Sequence, residues 1–229
     1  MFILLLACTP VDVSGPTLID GILLPNVDEA SWVQGVDNPY YPLPVGASWH
    51  YEAVLEGGLV ETIDVGVEAD TRDVNGVSAT VVYDVVRVDG ETTEETWDWY
   101  AQDSEGNVWY LGEDTCEWED GACAVHAGAW EWGVDGALPG WIMPAHPTVD
   151  GQPYFQEYDE GEAEDVGEVI AIDEDIDVAA GAFTGCIRTA DTSHIDASLL
   201  EEKVYCEGVG NVFVLEPDVE EELVRVDLG

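Results

Sequence analysis

From Pro39 onward, apolar and polar residues alternate with a period of two, broken roughly every 8 to 12 residues by turn-forming pairs, which is the pattern of antiparallel strands. Trp49, Tyr51 and Ala53 alternate with His50 and Glu52; after Gly57-Gly58, a hairpin signal, Ile63, Val65 and Val67 alternate with Thr62, Asp64 and Glu68. Asn75-Gly76 leads into a strand over 77–88 and Asp89-Gly90 into one over 91–102, both turns of the favoured two-residue kind. Further strands are predicted over 107–111, 122–132, 152–158, 166–172, 176–189, 199–206, 212–215 and 223–226, and no helical stripe is sustained anywhere. The Gly- and Pro-rich segment 133–153 predicts a long loop with an apolar tip at Trp141, Ile142 and Met143, placed to plug a barrel or to line a site. Before Pro39 the pattern differs. Residues 9–38 carry acids but no Lys or Arg, and Pro10, Gly15, Pro16, Gly21, Pro25 and Gly35 interrupt any period, so they predict an acidic linker with one docked stretch at 18–24. The expected architecture is a single all-β domain over 39–229, an antiparallel open barrel or sandwich with many hairpins, preceded by a flexible acidic N-terminal arm.

Composition narrows the function. A chain of 229 residues, 46% hydrophobic, can bury one sizeable core. Five Lys and Arg against 50 Asp and Glu give a net charge of −45, a field that repels phosphate backbones and excludes nucleic acid as a partner. No apolar run approaches the roughly 20 residues of a membrane-spanning helix.

The first eight residues end in Leu5-Leu6-Ala7-Cys8, which resembles a bacterial lipobox, although no Lys or Arg precedes the short apolar stretch. The resemblance implies a lipoprotein-type signal over 1–8, lipidation of Cys8, and an exported protein held in the cell envelope, at the outer membrane or cell surface, with membrane contact only through that lipid. The remaining cysteines, Cys116, Cys123, Cys186 and Cys206, form an even set, as an oxidising compartment permits. Four cysteines allow three pairings. Cys116 and Cys123 flank a turn at Trp118 to Gly121 that would set them across a hairpin, which favours Cys116 with Cys123 and Cys186 with Cys206.

Several constellations could carry chemistry. Acids crowd the stretch from Glu157 to Asp177, and Asp173, Asp175 and Asp177 have the opening spacing of a calcium loop, but Val178 and Thr184 stand where an EF-hand needs Gly and Glu. Ca2+ is therefore a candidate cofactor at these three residues, against a solvated acidic strand face. Glu157 with Glu164 or Asp165 could pair as general acid and base, a weak signal in so acidic a chain. His50, His126, His146 and His194 lack metal-ligand spacing. The tryptophans offer a ligand surface: Trp99, Trp109, Trp132 and Trp141 with Asp135 could stack on a glycan or cage a cationic small molecule, unless they are β-core.

Three blocks carry a wider resemblance: Asn38 to Gly46 ahead of Trp49 and Tyr51; Asp98-Trp99-Tyr100-Ala101-Gln102-Asp103 with Gly106-Asn107-Val108-Trp109-Tyr110, Gly112-Glu113-Asp114-Thr115, Gly133-Val134-Asp135-Gly136-Ala137, Gln156-Glu157-Tyr158 and Gly161-Glu162-Ala163-Glu164-Asp165; and Gly181-Ala182-Phe183 with Gly208-Val209-Gly210. Together they resemble an uncharacterised family of exported, β-rich bacterial lipoproteins. That resemblance implies the fold and the export and supplies no catalytic residues. The function expected is a noncatalytic envelope or surface lipoprotein that binds a ligand. The alternatives are a carboxylate-based hydrolase of polysaccharide and a cation-stabilised structural surface protein.

Overall fold

A computed structural model describes residues 17–126, 128–161, 163–195 and 198–229. Cys8 and the lipobox-like stretch lie outside the described residues. Two antiparallel meanders make up most of the molecule. The first runs through β5 (Ser48–Val54), β6 (Val60–Val74), β7 (Val77–Val88), β8 (Glu91–Gln102) and β9 (Val108–Glu119); the second runs through β15 (Asp165–Val178), β16 (Gly181–Ser193), β17 (Leu200–Cys206), β18 (Gly210–Leu215) and β19 (Glu220–Asp227). Pairing of β19 with β5, which sets Leu223 opposite Tyr51, joins them into one sheet. The turns form because the residues tolerate φ > 0: Asn75-Gly76 and Asp89-Gly90 have φ near 50° and 86°, the type I′ geometry that matches strand twist.

Short strands occupy the remaining gap: β1 (Thr17–Ile19), β2 (Ile22–Leu24), β3 (Asp37–Asn38), β4 (Tyr41–Pro42), β10 (Ala122–Val125), β11 (Trp130–Glu131), β12 (Leu138–Met143), β13 (Tyr154–Phe155) and β14 (Glu157–Tyr158). Along its length β9 pairs with β10, β11 and β12; β12 also pairs with β14, and β13 with β15. The sheet therefore wraps round one core without a continuous closing strand, and the all-β, hairpin-rich antiparallel class holds.

Several details differ from the sequence expectation, among them the run over 122–132, which is split into β10 and β11. Residues 138–143 are not a loop tip but strand β12, with Met143 fully buried. Gly140 is required there because a Cβ would lie 2.0 Å from the Phe155 carbonyl oxygen, so only glycine lets β13 come so close. The run predicted over 176–189 is split by the β15–β16 turn at Ala179-Ala180, with register shifts in β15 that break its period.

The predicted arm is docked from Thr17 on. β1 and β2 form a hairpin, Leu23 N–H donates to the Pro153 carbonyl (2.8 Å), and Val33 N–H donates to the Gln102 carbonyl (3.0 Å). The Gln102 side-chain oxygen accepts from the N–H groups of Asp37 and Asn38, both at 2.9 Å. Docking expected for 18–24 thus extends to Asn38, and the physical reason is apolar: Val27, Ala30 and Trp32 cover an outer cluster of Val74, Val77, Ala79, Trp99, Ala101, Trp109 and Leu111.

Cys116 is joined to Cys123 and Cys186 to Cys206, with Cα separations of 5.7 and 4.3 Å. Arg72 pairs with Glu131, Arg87 with Asp64, and Arg188 with Glu174 and Glu202, so these cations neutralise surface acids.

Candidate functional site

On β8, alternation sends Trp97 and Trp99 to the outer face and Thr96, Asp98 and Tyr100 inward; on β9, Trp109 goes out and Tyr110 in. The outer tryptophans and the inner acids make two distinct sites.

The outer site lies where the arm crosses the β8–β9 loop. Asp103 orders that loop. Its Oδ1 accepts from the N–H groups of Glu105, Gly106 and Asn107 (2.9, 2.9 and 3.0 Å), and its Oδ2 accepts from Asn107 Nδ2 and Trp109 Nε1 (both 2.8 Å). Five donors fill the carboxylate's acceptor sites, so Asp103 is structural. Ser104 N–H donates to the Ser31 carbonyl (2.7 Å) and ties the loop to the arm. Between them opens a cleft of about 500 Å³, lined by Trp109 and Trp141 and by the polar side chains of Asn26, Glu29, Glu105 and Gln152 among others. That volume is in the range of small-molecule sites.

The candidate aromatic set is only partly assembled here. Trp109 meets Trp141 edge to face at 5.9 Å and Trp32 at 5.7 Å, and Trp32 meets Trp132 at 6.0 Å. Trp132 instead lines a second hollow with Val27 and Leu138. Trp99 is buried, with the Arg72 guanidinium carbon 3.8 Å from its ring centroid. Asp135 is exposed in a turn at φ 51° and lines neither hollow. Asn26, Glu29 and Trp32 lie in the segment whose Pro and Gly content reads as a linker; the available signal is Trp32 among Val27, Ala30, Val33 and Val36.

Asp173, Asp175 and Asp177 are exposed along β15. Their carboxylates do not converge: among the described residues, the one group of three or more potential ligands within 4.8 Å of one another is Cys116, Cys123 and His126. Of the proposed acid–base residues, Glu164 is committed elsewhere, whereas the Asp165 charge acts on Glu157. Glu164 accepts from His194 Nδ1 (2.7 Å) and Gly161 N–H (2.7 Å), while Glu157 faces inward on β14 with Oε2 lacking a hydrogen-bond partner among the described residues.

The inner site is a set of buried acids and phenols. Tyr110 stacks on Tyr100 (5.0 Å), Tyr100 meets Tyr41 (5.3 Å), and Tyr110 Oη donates to Asp98 Oδ1 at 2.5 Å. Asp98 lies directly opposite Glu113, with Asp84 two residues along the other neighbouring strand from the position facing Asp98. Burial, then the charge of the neighbouring acid, pushes Asp98 and Asp84 well up from the usual carboxylate range, and burial with Asp98 raises Glu113 to about 7. Burial likewise raises Glu157. Across the core, Lys203 Nζ lies 3.1 Å from Asp191 and 2.9 Å from Glu201, and Tyr154 Oη and Thr189 Oγ1 lack partners among the described residues. Asp98, Asp84, Glu113 and Glu157 thus favour the protonated form more than ordinary carboxyls do, while Asp191 and Glu201 are paired with Lys203.

No protein-family model matches the chain, and no curated protein matches it significantly. Two solved structures are similar in outline: an inferred exported protein with a YmcC-like fold from Bacteroides fragilis, 13% identical, TM-score 0.47, covering 82% of this chain and 98% of its own, and an inferred lipoprotein from Parabacteroides distasonis, 12% identical, TM-score 0.40, covering 83% and 99%.

Proposed function

We propose that the protein is an exported, noncatalytic envelope lipoprotein that binds a neutral glycan in the cleft between the arm and the β8–β9 loop. The observation that carries the reading is the cleft itself: about 500 Å³, lined by tryptophans, amides and carboxylates. An indole face packs against the apolar face of a sugar ring while Asn26, Glu29, Glu105 and Gln152 exchange hydrogen bonds with hydroxyls. A net charge of −45 turns away anionic glycans and leaves neutral or cationic ones. Catalysis is disfavoured because the cleft's best-held carboxylate, Asp103, is saturated by five N–H donors, and the proton-holding acids face the interior. Two cystines and the Leu5 to Cys8 lipobox resemblance support export.

Calorimetric titration with a panel of neutral oligosaccharides tests the reading. At least one should bind, be recovered uncleaved, and lose most of its affinity on Trp141→Ala at unchanged fold. Binding that survives Trp141→Ala, or steady release of new reducing ends, would refute it.

A further inference from the structure

The hairpin tip of β9 and β10 carries a second arrangement, independent of the cleft. Asp120-Gly121 turns the chain at φ 52° and 76°, bringing exposed Cys123 back to Cys116, which is buried at 3% exposure. Exposed His126 places Nε2 3.4 Å from Cys123 Sγ, and its Nδ1 lies 2.9 Å from Asp114 Oδ1. A carboxylate on Nδ1 fixes the proton there and turns the Nε2 lone pair toward sulfur. One accessible sulfur, one shielded sulfur, and an oriented imidazole beside the accessible one are the parts that thiol–disulfide exchange requires. The second cystine has no accessible sulfur: Cys186 and Cys206 are both buried, at 0% and 2% exposure.

We propose that Cys116–Cys123 is a thiol–disulfide exchange site, with Cys123 the reacting sulfur, His126 its proton acceptor and Asp114 a positioning residue. In the reduced hairpin, His126 Nε2 takes the Cys123 proton and the thiolate attacks an external disulfide, forming a mixed disulfide and releasing one thiolate. Cys116 gives its proton to that thiolate and attacks Cys123 Sγ, restoring the cystine. The second external thiolate leaves with the proton from His126. The protein dithiol is oxidised by two electrons and one disulfide becomes two thiols; two external thiols drive the reverse. Acids surround the site, with Glu95 opposite Cys116 and Glu117 beside it, so the co-reactant is an uncharged or cationic disulfide or thiol, not an anionic one.

The test uses the phosphine-reduced protein with chelator present. Iodoacetamide near pH 6, read by peptide mass, should alkylate Cys123 at least about tenfold faster than Cys116. His126→Gln should remove that advantage, and Asp114→Asn should move the pH profile of alkylation. Cystamine should reoxidise the hairpin at least about tenfold faster than dithiodiglycolate at roughly 0.01 M salt, the ratio collapsing near 1 M as the Debye length falls from about 30 to about 3 Å. Equal alkylation of the two cysteines in the wild-type chain overturns the proposal without any variant. So does an unchanged rate in His126→Gln, or zinc uptake by the reduced protein that blocks both thiols and is lost in that variant.

Discussion

Glu113→Gln isolates one of the interior acids. Glu113 is half-buried opposite Asp98 and is raised from its ordinary 4.5 to about 7 by burial and by that neighbour. The folded protein therefore holds this proton more tightly than the unfolded chain does, and between about pH 4.5 and 7 stability falls as pH rises. At 1.36 kcal/mol per pH unit, the shift corresponds to about 3 kcal/mol, and allowing for residual solvent screening, about 2 kcal/mol. Glutamine keeps the shape and can still accept the Thr115 hydroxyl hydrogen bond, which the carboxylate accepts at 2.9 Å. Urea unfolding in about 1 M salt, where the repulsion of the net −45 charge is largely screened, should show the variant more stable than wild type by about 2 kcal/mol at pH 8 and equal to it at pH 4.5. A difference independent of pH, or a variant less stable at pH 8, would refute the account of the interior as a proton-holding site.

Lys203→Met should destabilise the protein by about 3 to 5 kcal/mol at pH 7, because it leaves the buried Asp191 carboxylate uncompensated; Lys203→Met with Asp191→Asn should recover most of the loss in the same unfolding assay. Gly140→Ala should cost about 3 kcal/mol or more, since its Cβ and the Phe155 carbonyl cannot occupy the same space, and amide exchange should report the loss as opening between β12 and β13.

Much of the fold was legible where local chemistry decides it. Asn75-Gly76 and Asp89-Gly90 specify their turns through φ > 0, and Cys116–Cys123 follows from hairpin placement, which leaves Cys186 for Cys206. The β-core alternative for Trp99 and Trp109 holds, and what the pattern leaves open is which face each residue joins. The alternation Trp97-Asp98-Trp99-Tyr100 defines two sides of a strand, but not which one is enclosed, and hydrophobicity argues for the tryptophans inside. Trp99 is buried in a second cluster that the arm covers, while Trp97 stays exposed against Tyr83, and a stretch full of Pro and Gly shows no period by which to foresee that cover. β12 was hidden for a similar reason: Pro139 and Gly140 look like loop residues until β13 is seen pressing on Gly140. The Asp173 to Asp177 spacing suggested a cage, yet in β15 the same residues lie exposed along a strand.

An enclosed surface of carboxyls and phenols also changes how the fold answers to temperature. Exposing apolar area on unfolding raises heat capacity, and exposing polar area lowers it; an ordinary chain gains about 12 to 15 cal/mol/K per residue, or about 3 kcal/mol/K for 229 residues. Here Asp98, Thr96, Thr115, Glu157, Thr189 and Asp191 are buried where aliphatic side chains would ordinarily sit. The heat-capacity increment is correspondingly smaller, the stability curve flatter, and both cold and heat reach this fold more gradually than they would an aliphatic core of the same size.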